Sequence, residues 1–148
     1  MITQIAKTSL IALAVGFIFE LVSSWLESDY LQNFFADNLI TILIALLAIN
    51  ATTMGIVLTK MRDLIDKHPG GANLFSATRS NMLLAVKEQL ALICLAVMIL
   101  TLQSSPNLPS IENVPLFLVS IVAGIFVYAL IILYDTAKGV LIIIDYDL

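Results

Sequence analysis

The 148 residues are 60% hydrophobic and only 12% charged, about half the charged share usual in water-soluble domains. That balance, with a mean hydropathy of +1.02, excludes a fold built around one water-shielded core and indicates an integral membrane protein. The net charge of −4 argues against direct nucleic-acid binding.

A helix needs about 20 apolar residues to cross roughly 30 Å of hydrocarbon. Four stretches meet that length, at about 5–26, 39–59, 85–102 and 115–134. No alternating barrel pattern is present, so an all-α bundle of four transmembrane helices is expected. Lys7 followed by the apolar run Ser9–Val22 has the order of a signal sequence. Val22-Ser23-Ser24 is a weak cleavage match, and the segment reads as an uncleaved signal anchor. The connection Glu27–Asn38 follows, with Trp25, Tyr30, Phe34 and Phe35 as a headgroup-level aromatic belt and Asp37 or Asn38 capping the second helix.

Beyond the second span the helical period continues. Val57, Met61, Leu64, Ile65 and His68 share a face until Pro69-Gly70-Gly71 breaks it. Ser76–Glu88 resumes the pattern with Met82, Leu83 and Val86. Helices two and three are thus expected to extend into a cytoplasmic hairpin over 60–88. Cys94, alone in the third apolar run, reads as a small buried packing residue. Gln103–Val114 is a proline-broken loop, and the fourth helix starts around Asn113 to Pro115. After Gly139 the apolar run Val140–Ile144 is too short to span; packing on the hairpin or on a neighbouring subunit is the preferred reading of the 139–148 tail.

All seven basic residues fall on one side of these spans: Lys7, then Lys60, Arg62, Lys67, Arg79 and Lys87 in the central connection, then Lys138. The other two connections hold none. Basic residues stay cytoplasmic, so both termini and the hairpin are placed inside, most simply at a bacterial inner (plasma) membrane. Contacts with anionic lipid headgroups follow from the same clustering. Lys60, Arg62, Leu64, Lys67, Arg79, Met82 and Lys87 are the expected contacts to a soluble partner or to lipid. Lys87-Glu88 reads as an anchor at the inner membrane edge.

Glu20 is the acidic residue well inside a span, about 20 Å from Lys7 at 1.5 Å per residue. The same count places Asn50 about 15 Å from Lys60, Thr101 about 21 Å from Lys87 and Ser120 about 22 Å from Asp135. These four form a candidate intramembrane polar or pore-lining set, since a carboxylate at such depth normally faces protein or a watery cavity. Asn50, Thr52 and Thr53 are expected to bond across helices or back to the preceding turn. The small-residue pairs Ala12/Gly16, Ala51/Gly55 and Ser120/Gly124 permit close helix approach. A lone His68 makes no metal site, and no phosphate loop, nucleophile elbow or zinc motif is present. Neither an enzyme nor a cofactor is expected.

A glutamate in the first of four helices resembles the small multidrug resistance transporters. Their compact loops, and the nearly balanced basic loops of their dual-topology members, differ from the long hairpin and one-sided charge here. In plan alone the chain also resembles small four-helix membrane subunits of bacterial anti-phage systems such as Kiwa, and four-helix immunity proteins against membrane-active toxins. The expected function is a membrane anchor or sensor subunit, homo-oligomeric, that docks a soluble cytoplasmic protein through its basic hairpin, with anti-phage defence or toxin immunity as its setting. The alternative is an oligomeric channel or small transporter with Glu20 near the conduction path.

Overall fold

The computed structural model describes residues 2–67, 72–105 and 114–145. Among them the chain is all-helical: α1 (Ile2–Trp25), α2 (Tyr30–Lys67), α3 (Ala72–Gln103) and α4 (Val114–Asp145). Each contains a stretch long and apolar enough to cross a membrane. The start of α1, the end of α2, the start of α3 and the end of α4 share one end of the bundle, the hairpin end; the α1–α2 turn marks the opposite, loop end.

α4 is the central helix. It packs on all three others, whereas α1 packs chiefly on α4. Accordingly 56% of the membrane-length stretch of α4 is buried, against 11% in α1. Its sequence supplies two apolar faces. Val122, Ala123, Ile125 and Ala129 meet Phe35, Leu39, Leu43 and Leu46 of α2 and Ala96 of α3. The other face carries Ser120 and Gly124, where α1 approaches. A Cβ on Gly16 would lie 2.5 Å from both Gly124 N and Ser120 O, so the backbones touch there and only glycine fits. Two of the three small-residue pairs are therefore used inside one chain.

α2 begins nine residues before the expected 39–59 span because the α1–α2 turn is much tighter than Glu27–Asn38. Glu27 adopts φ 49°, and its N–H donates to Ser24 O at 3.2 Å while Ser28 N–H donates to Ser23 O at 3.0 Å. This is a Schellman cap with glutamate in the place usually held by glycine. Asp29 O then accepts from Asn33 N, the first bond of α2. Asn38 is consequently inside the helix, donating to Phe34 O, and caps nothing. The belt is smaller than expected too. Trp25 and Tyr30 are exposed, but Phe35 is 3% exposed and packs on Phe126 at 5.4 Å.

α4 runs through Gly139 to Asp145 without a break, since one glycine costs a helix only about 1 kcal/mol and packing overrides that preference. Val140 packs against Val57, Met61 and Met82, so the tail extends the fourth helix and also rests on α2 and α3. Cys94 is exposed on the bundle surface. Lipid accepts a thiol as readily as a core does, so apolar context did not require its burial.

Candidate functional site

The register of α2 against α3 is set by one buried bond. Asn50 Nδ2 donates to Gln89 Oε1 at 2.9 Å, and Met82 packs with Val57 and Met61 in the same antiparallel sense. Extending that register, Arg79 stands level with Lys60, and Lys87 stands level with Thr52. Lys87 therefore lies about 12 Å from the Lys60 level toward the loop end. Its side chain is exposed. Of the four polar residues expected at neighbouring depths, Asn50 stands apart. Asn50 is level with Gln89, about 18 Å along α3 from Thr101.

Asn50 is 2% exposed and bonded to α3. Thr101 is exposed and donates to Val97 O at 2.7 Å. Ser120 is buried under α1 and donates to Leu116 O at 2.9 Å. Thr52 bonds back to Ala48 O in the same way. Glu20 is half-buried in a recess with Ser23, Ser24, Glu27, Ser28, Asp29 and Gln32 at the loop end. Within one chain these residues do not line a common path. At the hairpin end Met82 is core, at 6% exposure. Arg62 and Arg79 are exposed and flank a cleft floored by Leu58, Met61, Ile65 and Leu83. Lys60 is half-buried. The side chains of Leu64 and Lys67, and all of His68, lie outside the described residues.

The register brings together a cluster that sequence reading missed. Glu88 and Gln89 are consecutive, so their side chains point about 100° apart. Gln89, fully buried, faces α2. Glu88 faces Tyr128 of α4, and Asp135 lies close enough to act on both. Ser9 of α1 is a further polar neighbour of Tyr128. Glu88 Oε1 is shut off from solvent without a hydrogen-bond partner, as are Asn50 Oδ1 and Gln89 Nε2. Three helix stripes converge here: Thr78, Asn81, Ala85 and Glu88 on α3; Tyr128, Ile132, Asp135 and Gly139 on α4; Ile5 and Thr8 on α1. Between them is a crevice of about 320 Å³. The seven-residue step from Tyr128 to Asp135, two helical turns, was the available sequence signal. Among the described residues, no group of three or more His, Cys, Asp or Glu is arranged to hold a metal ion.

Compared with protein-family models, curated proteins and solved structures, the chain matches none.

Proposed function

We propose that this chain is a non-enzymatic membrane subunit whose hairpin end faces the cytoplasm and holds a soluble protein there. The observation that carries this reading is helix length combined with charge. α2 and α3 have 38 and 32 residues, about 57 and 48 Å, well beyond the roughly 30 Å that a bilayer core requires. Lys7, Lys60, Arg79 and Lys138 sit toward the hairpin end, and Arg62 and Lys67 lie beyond them. A boundary near the Lys60–Arg79 level agrees with retention of basic residues on the cytoplasmic side. The projecting arm is then Lys60–Lys67 with Ala72–Arg79, shorter on the α3 side than the sequence indicated. Arg62 and Arg79, exposed around an apolar floor, suit an acidic, partly apolar protein surface. Homo-oligomerisation is part of the proposal. Ala51 is exposed and Gly55 has open space beside it, which leaves this small-residue pair free for a second copy. Affinity capture from membranes tests the reading. Arg62→Glu with Arg79→Glu is expected to release the partner while membrane insertion persists; capture of the same partner by the variant would refute it.

An alternative role as an oligomeric pore draws on the acidic recess of Glu20, Glu27 and Asp29 at the loop end, where symmetry would bring several copies together. Planar-bilayer recordings decide it: a current altered by Glu20→Gln supports the pore, and no current, or an unaltered one, removes Glu20 from consideration.

A further inference from the structure

We propose that the crevice between α1, α3 and α4 binds a hydrophobic organic cation, with Glu88 and Asp135 as its counter-ions and Tyr128 as its aromatic wall.

The register places Glu88 nine residues from Arg79, about 13 Å from the Lys60–Arg79 level. A carboxylate at such depth is costly unless it is paired or faces a polar cavity. Glu88 shares a hydrogen bond with Tyr128, but among the described residues it has no cation partner and no complete hydrogen-bond shell. Its Oε1 is buried and unpartnered, and the charged group that acts on it is another acid, Asp135. Lys138 stands at the rim of the same crevice, one turn beyond Asp135. Two carboxylates against one ammonium leave the crevice net negative.

The walls narrow the class of ligand. Met82, Leu84, Ala85, Ile131 and Ile132 line the space beside the polar groups. Such walls would strip a small hydrated ion of water without replacing it, and the described residues offer no metal-ligand set. They suit a cation whose charge is spread over an apolar body. Tyr128 is only 7% exposed, so its ring is held by packing and presents a fixed surface for cation–π contact. The volume, about 320 Å³, is at the small end of the range for ligand sites. That admits a compact aromatic ammonium or pyridinium. α1 and α3 both pack on α4 and make little direct contact with each other, so a ligand can enter between them.

The test uses the purified full chain in nanodiscs of neutral phosphatidylcholine. The probe is a fluorescent dimethylaminostyryl-pyridinium cation, compared with the uncharged styrylpyridine of the same shape. Fluorescence anisotropy is expected to show saturable binding of the cation, tighter than that of the uncharged compound. Glu88→Gln is expected to weaken cation binding ten-fold or more while leaving the uncharged compound unaffected. Glu88→Asp, which keeps the charge, should stay within a few-fold of wild type. Asp135→Asn, at an exposed rim position, provides a second variant whose folding is not at risk and should weaken the cation about three-fold or more. The proposal is overturned if the wild type shows no saturable cation binding, if charged and uncharged probes bind alike, or if both charge-removing variants bind the cation as wild type does.

Discussion

Glu20 and Glu88 are both glutamates within apolar helices, and the fold gives them opposite surroundings. Glu20 lies five residues from the end of α1, in a polar recess with the serines and acids of the α1–α2 turn. Glu88 is half-buried beside a crevice between three helices, bonded to Tyr128 and with one buried oxygen that no described residue satisfies. Position along a helix does not distinguish these cases; the neighbouring helix does. Glu20 has a short path to the loop end, whereas Glu88 faces the crevice between α1, α3 and α4. The proposed ligand chemistry of the Glu88 region rests on this difference; the Glu20 region is a polar recess at the α1–α2 turn.

The largest perturbation of this contrast is Gly16→Leu. α1 contributes Ile5 and Thr8 to the Glu88 crevice only because Gly16 lets it lie on Gly124. With backbone atoms 2.5 Å from any added Cβ, the side chain has no room, and a loss of roughly 3 kcal/mol is expected. Steric-trap unfolding in bicelles measures it. The crevice should open as α1 separates, while the α2–α3 bond persists. Full wild-type stability would mean that α1 does not pack as described.

A smaller effect is expected from the bond that sets the register. Asn50→Leu strands the Gln89 amide, and Gln89→Leu strands Asn50; each should cost about 1–2 kcal/mol. The double variant removes the unpartnered Asn50 Oδ1 and Gln89 Nε2 as well, so it should recover to within about 1 kcal/mol of wild type. A double-mutant cycle by the same unfolding method reads this directly. Strict additivity would place the two amides apart and would undo the depth assigned to Glu88.

The four helices were legible in the sequence because hydrophobic length alone specifies a membrane crossing. The small-residue pairs Ala12/Gly16 and Ser120/Gly124 were legible as well, though not which helix each would meet. Reading Lys87-Glu88 as a charged anchor drew attention away from what packing gives the next two positions, the Glu88 crevice and the buried Gln89. Register between helices is fixed by pairwise contacts such as Asn50–Gln89, and a hydropathy profile contains no such information. The same limit explains Phe35. Its aromatic character suited an interface, but its partner, Phe126, is 91 residues away in the chain.

Whether the two glutamates differ in function because they differ in neighbours is decided by titrating the styrylpyridinium cation into Glu20→Gln and Glu88→Gln side by side. Wild-type affinity is expected for Glu20→Gln and a ten-fold or greater loss for Glu88→Gln. Equal losses, or a loss confined to Glu20→Gln, would contradict it.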